Sequence, residues 1–305
     1  MEQRRVGRSG LQVSRLALGT MTWGRDTDAD EAAAELETFV GAGGTLIDTA
    51  NIYGDGDAES ILGTLIPDVI PRSDVVLAVT TVGVSGRGRL LAALDASLAR
   101  LGTDAIDLWL VHGFDAQVPY EETCAALAAA VDSGRAAYIG VSGQSGWQLA
   151  THAAHLSTVG HPLVAVQNEY SLLARSVEES ILPAAAVHGA GLLGWAPLGR
   201  GVLTGKYRTG TPADSRGASQ QFERYVAHHR TDAAARIVEA VVTAADGLGT
   251  SPLAVACAWM RDRPGVASAV VGARDAAQLL GSLASEDLTL PAEIRAALDD
   301  VSAAG

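Results

Sequence analysis

The chain has 305 residues, of which 48% are apolar and 19% charged, with a formal net charge of −13 and two cysteines. That acidity argues against a nucleic-acid surface, which needs clustered Lys and Arg. Cys124 and Cys257 each sit in an alanine-rich helical pattern, the setting of small buried residues rather than of a disulfide framework or a metal site. No apolar run approaches the ~20 residues needed to span a bilayer, and MEQRRVGRSG is charged where a leader would be apolar, so a cytoplasmic location is expected. The length permits one large domain or two small ones.

Taken in order, residues 2–13 place Val6, Leu11 and Val13 around Gly7, Ser9 and Gly10, which predicts a short hairpin before the main fold. A regular alternation follows. Apolar strand candidates lie at 16–20, 45–48, 75–80, 106–111, 137–141, 164–167, 191–196 and 268–271, eight in all. Between them run amphipathic helical patterns with readable ends. Asp28 and Glu31 stand in capping-box spacing before the first, which stops at Gly43. Gly102 ends the third, Pro119 and Gly134 bound the fourth, and Ser176 with Glu179 is expected to cap the sixth. Ser251 with Pro252, Asp275 and Pro291 open three more near the C-terminus.

Continuous apolar strands separated by helices demand a parallel sheet covered on its faces. Eight such units without a composition break predict one α/β domain over residues 1–305, a closed (β/α)₈ TIM barrel with an N-terminal hairpin and its site at the C-terminal strand ends. The rival dinucleotide-binding fold requires G-x-G-x-x-G after the first strand, where this chain has GTMTWG. The stretch from 208 to 230 is the longest irregular one, and its adjacent His228 and His229 are expected to be solvated.

The strand ends collect polar and aromatic groups: Asp48 with Tyr53 just beyond, Thr80 and Thr81, His112, Ser142, Gln167, Trp195 and Gly272. The last two strands are followed by glycine-rich loops bearing Lys206, the chain's single lysine, and Arg274, on the side where barrels tend to bind phosphate.

DTANIYGDGDAE, DLWLVH, WAPLGRGVLTGKY and VVGARDAAQL together resemble the aldo-keto reductase family, and the resemblance covers nearly the whole chain. It implies a (β/α)₈ barrel that binds NADP(H) in extended form and reduces a carbonyl to an alcohol. It implies that Tyr53 donates a proton, that His112 orients the carbonyl and that Asp48 is the buried carboxylate. Ser142 and Gln167 would hold the nicotinamide carboxamide, and Trp195 would stack on its ring. Gly199, Gly201, Leu203 and Lys206 would line the pyrophosphate, with Gly272 in the strand-eight loop, and Arg274 and Gln278 would meet the adenosine phosphate.

Two departures stand out. The family's strand three ends in Thr-Lys, and Thr81 is read here at the lysine position, so the catalytic tetrad lacks its cation; Gly143 follows Ser142 where the family has Asn. Losing that cation should raise the pKa of Asp48 and of Tyr53. Three readings follow: a carbonyl reductase with an altered proton relay, a lyase, isomerase or cyclase on the same barrel, or a low-turnover NADP(H)-binding regulatory protein. A small-molecule carbonyl is the expected partner. Arg87 and Arg89, in the loop after strand three, are read as solvated.

Overall fold

Apolar runs with no polar alternation are strands hidden on both faces, and here they close on one another. The computed structural model describes residues 1–213, 215–220 and 222–303. Strands β1 (Gln3–Arg5) and β2 (Gln12–Ser14) pair antiparallel as the expected hairpin. The barrel strands are β3 (Leu16–Gly19), β4 (Leu46–Ala50), β5 (Val76–Thr81), β6 (Ile106–His112), β7 (Ala136–Ser142), β8 (Ala165–Glu169), β9 (Gly191–Trp195) and β10 (Val266–Val271). They are parallel in chain order, and β10 returns to pair with β3. The eight expected strands are all present.

Two apolar layers hold the barrel. One fills its interior with side chains such as Leu46, Ala78, Leu108, Leu110, Ala165 and Leu193, and the hairpin's Val6, Leu11 and Val13 join it from below. The other lies between strands and helices, with Trp109, Leu36, Phe39, Leu94 and Trp259 buried in it. The N-terminal end is therefore plugged, and open space remains at the C-terminal end.

Helix ends follow the capping residues. Asp28 accepts a hydrogen bond from the Glu31 N–H to start Ala29–Gly41, and a left-handed Gly102 ends Arg87–Leu101. The sixth helix differs from expectation. Ser176 opens only a short turn, Ser176–Glu178, and the helix itself is Ile181–His188. Pro183 is the reason: a helix begun at 177 would carry it in the interior, whereas one begun at 181 carries it in the first turn, where its missing N–H costs nothing. Both cysteines are buried and free. Among the described residues no single helix is long and apolar enough to cross a membrane.

Candidate active site

Strand register decides which polar residues meet. Asp48 on β4 is paired with Ala78 on β5, and paired residues of parallel strands share a face. Ala78 belongs to the barrel interior, so Asp48 and Thr80 both point inward. Thr81 points outward. Its side chain is fully buried between barrel and helices, where its hydroxyl accepts a 2.9 Å hydrogen bond from the Trp109 indole N–H. The structure therefore does not bring Thr81 into the site; Thr80, one residue earlier, stands there instead.

Tyr53 is aimed by the turn that follows β4. Gly54, Asp55 and Gly56 are consecutive left-handed residues, with φ of 56°, 55° and 101°, a sharp reversal that glycine tolerates best. The Asn51 side chain clamps this turn to the strand-five loop, donating to the Val82 carbonyl at 3.2 Å and accepting from the Val82 N–H at 2.8 Å. Tyr53 lines a cavity of about 640 Å³ together with Asp48, Thr80, His112, Ser142, Gln167 and Trp195.

A chain of hydrogen bonds floors this cavity. The Gln167 amide N–H donates to Asp48 Oδ1 at 2.6 Å, joining β8 to β4 on the far side of the barrel. The Ser142 hydroxyl donates to Gln167 Oε1 at 2.9 Å, and His112 Nδ1 lies 3.0 Å from Ser142 Oγ. Burial pushes Asp48 up to about 7, against the opposing pull of the Gln167 amide. Burial, then the Asp48 carboxyl and then Tyr225 hold the Tyr53 phenol well above its ordinary value. Burial lowers the His112 pKa below its ordinary value, favouring the neutral ring.

His112 separates this cavity from a second one of about 480 Å³, which lies between the loops after β5 and β6 and is lined by Phe114, Asp115, Tyr120 and His152. Gly143 touches the same ring. It has φ of +63°, and a Cβ there would sit 2.5 Å from His112 Cε1. The ring's position and the missing side chain at 143 are thus one choice.

The opposite half of the cavity is cationic. Lys206, Arg200, Arg216 and Arg274 line it, all from the segments after β9 and β10. Arg200, left-handed at φ 58°, is held by Glu169 at 2.7 Å through Nε and at 2.5 Å through Nη2, and its guanidinium lies 3.9 Å from the Tyr225 ring centroid. Glu169 also bonds His229 at 2.9 Å, so this histidine is buried in an ion-pair cluster rather than solvated as expected; His228 is exposed. Four cations, the backbone of Gly19, Gly201 and Gly272, and a volume of about 640 Å³ suit a phosphate-rich dinucleotide.

Gly201, Gly272 and Gln278 also line the cavity, but Gly199 and Leu203 do not: the Leu203 side chain is wholly buried in the outer layer. Arg87 and Arg89 are exposed and line neither cavity. Sequence reasoning missed Arg200, Arg216 and Tyr225 as lining residues. The last two lie in the irregular 208–230 stretch, where the described residues form the turn Arg216–Ala218 and the helix Glu223–Ala227, and no periodicity marks an inward side chain.

The sequence model described as "Aldo/keto reductase family" matches residues 15–303. A probable voltage-gated potassium channel subunit beta of Oryza sativa subsp. japonica is 36% identical, over 94% of this chain and 92% of its own length. An uncharacterised oxidoreductase of Bacillus subtilis is 34% identical over 99% and 96%, and the L-glyceraldehyde 3-phosphate reductase of Escherichia coli is 33% identical over 100% and 93%. With a family match over nearly the whole barrel and relatives aligned end to end, the chain belongs to the aldo/keto reductase family.

Proposed function

We propose that this chain is a cytoplasmic, single-domain carbonyl reductase that draws its reducing equivalents from NADPH and works through an altered proton relay. One observation carries the reading: Asp48, Tyr53 and His112 converge on one cavity whose other half is lined by four cations. The nicotinamide cofactor supplies hydride when bound. Lys206, Arg200, Arg216 and Arg274 would hold its phosphates, and the extra arginines favour the 2′-phosphorylated form. Ser142 and Gln167 would hold the carboxamide, and Trp195 would cover the ring. Tyr53 gives a proton to the carbonyl oxygen, and His112 fixes the angle at which that oxygen arrives. Thr80 stands in the cavity beside these groups, and no side-chain cation pairs with Asp48 among the described residues.

The test is NADPH consumption in the presence of a reactive aromatic aldehyde, with the alcohol quantified in parallel. Stoichiometric consumption is expected, NADH should serve less well, and Tyr53→Phe should lower the rate by about 10²- to 10⁴-fold. Turnover of the aldehyde without loss of NADPH absorbance would sink the reductase reading in favour of a non-redox reaction. Tight NADPH binding with no product from any aldehyde would favour a sensing role.

A further inference from the structure

The Asp48 carboxyl is 4% exposed, and its side-chain partner among the described residues is the Gln167 amide on Oδ1. The second oxygen, Oδ2, accepts no hydrogen bond from the described residues and is open to the cavity. One inward-facing level further along the neighbouring strand, opposite Ala50, Thr80 is also 4% exposed, and its Oγ1 is buried without a hydrogen-bond partner. Both residues line the cavity, together with the aromatic rings of Tyr53, Trp195 and Tyr225. A buried carboxylate without a cation and a buried hydroxyl without a partner are each unfavourable. On successive inward levels of adjacent strands, lining one open cavity, they describe a ligand.

Its chemistry follows from what the two groups lack. Asp48 Oδ2 only accepts when ionised and so requires a donor, while Thr80 Oγ1 can either accept or donate and is compatible with one. The complement also carries positive charge, because a neutral donor such as water leaves the carboxylate uncompensated. The cavity's own cations come from the loops after β9 and β10 and are suited to phosphate, whereas what acts on Asp48 among the described residues is burial and the Gln167 amide. A primary ammonium meets every requirement, with three N–H donors and a compact charge.

We propose that the Asp48 and Thr80 end of the cavity is a binding site for a primary ammonium group, and that the preferred carbonyl substrates carry one close to the carbonyl, as amino aldehydes and amino ketones do. The substrate assignment rests on the reductase reading above; the ammonium site does not. An ammonium there keeps Asp48 ionised and supports the Tyr53 oxygen as its proton passes to the carbonyl oxygen. The substrate then brings the charge that the barrel wall does not provide.

The experiment has a binding arm and a kinetic arm. In the first, melting of the cofactor-free chain is followed at pH 8 against methylammonium chloride, with sodium chloride at equal ionic strength as control. A saturable rise in Tm is expected, absent in Asp48→Asn and in Thr80→Lys, whose own ammonium would fill the site. In the second, NADPH consumption is compared for aminoacetone and hydroxyacetone. The amine should be favoured about 10- to 100-fold in kcat/KM, the range of a hydrogen bond to a buried charge. Free methylammonium should accelerate hydroxyacetone and compete with aminoacetone.

Acceleration of hydroxyacetone with no advantage to aminoacetone overturns the substrate assignment and leaves a site for free ammonium. No methylammonium effect on Tm or on rate overturns the proposal as a whole. A saturable Tm shift with no NADPH consumption on any carbonyl keeps the ammonium site and removes the reductase reading.

Discussion

Lysine placed at Thr80 is expected to raise carbonyl reduction by about 10²-fold, the scale of a tuned proton transfer, while lysine at Thr81 gives no gain and destabilises the chain by several kcal/mol. The contrast follows from one residue of register. Thr80 faces the cavity that Asp48 lines, one inward level further along the adjacent strand, so a lysine side chain there reaches a carboxylate without a cationic partner and lowers the Tyr53 pKa towards working pH. Thr81 faces the helical layer, wholly buried against Trp109. A charge there has no counter-ion, and the indole N–H loses its acceptor. Initial rates of NADPH consumption together with urea melts of both variants provide the check. A faster Thr81→Lys enzyme, or a Thr80→Lys enzyme unchanged in rate, would contradict the inward placement of Thr80.

The second large effect is on stability against pH. Burial raises Asp48 from its ordinary 3.8 to about 7 in the folded chain, so between those values the native state holds a proton that the unfolded state has released. Unfolding is then favoured progressively as pH rises from about 4 to about 7, because stability falls wherever the folded form binds more protons. Above pH 7 the folded barrel carries a buried carboxylate. Replacing Asp48 by Asn removes that charge while keeping an acceptor for the Gln167 amide, and should stabilise the cofactor-free chain at pH 8 by about 2–4 kcal/mol. At pH 4 the same substitution should be close to neutral. Glu35, also raised to about 7 by burial, acts in the same direction, so part of the slope will remain in the variant. Urea midpoints at the two pH values measure the difference, and equal effects at both would rule out Asp48 as its source.

The same register marks the limit of what the sequence discloses. Strand number, barrel closure and the hairpin are legible because apolar runs alternate with capped amphipathic helices, a local pattern. Asp48, Tyr53, His112, Ser142 and Gln167 are legible because polar groups at the ends of buried strands are conspicuous, and the structure gathers all five on one cavity. The two threonines that end β5 are different. That strand is covered on both faces, with Leu77 and Val79 facing the helices and Ala78 facing the interior, so no polar alternation tells inside from outside. Only pairing with β4 settles it, and that pairing is non-local. Arg216 and Tyr225 were out of reach for another reason: their placement is fixed by tertiary contacts such as the Arg200 stack on Tyr225, which leave no trace in spacing.

The hydrogen bonds from His112 through Ser142 and Gln167 to Asp48 form a proton wire with two polarities. With Asp48 ionised, the Gln167 N–H points to it, the Ser142 O–H points to Gln167, and His112 Nδ1 must carry a proton, leaving a lone pair on Nε2. Protonation of Asp48 at Oδ1, the oxygen that Gln167 touches, presents an O–H to the amide, so Gln167 turns over and every bond behind it reverses. Ser142 then donates to Nδ1, and the proton of the neutral ring moves to Nε2. Because burial pushes Asp48 up to about 7, the two polarities should exchange around neutrality. Nitrogen-15 shifts of His112 at pH 5 and pH 9 should show the tautomers trading places, and identical spectra would break the wire. One carboxyl on β4 thus makes two chambers of the same barrel: one offers its guest a hydrogen-bond donor from across the mouth, and the other offers an acceptor.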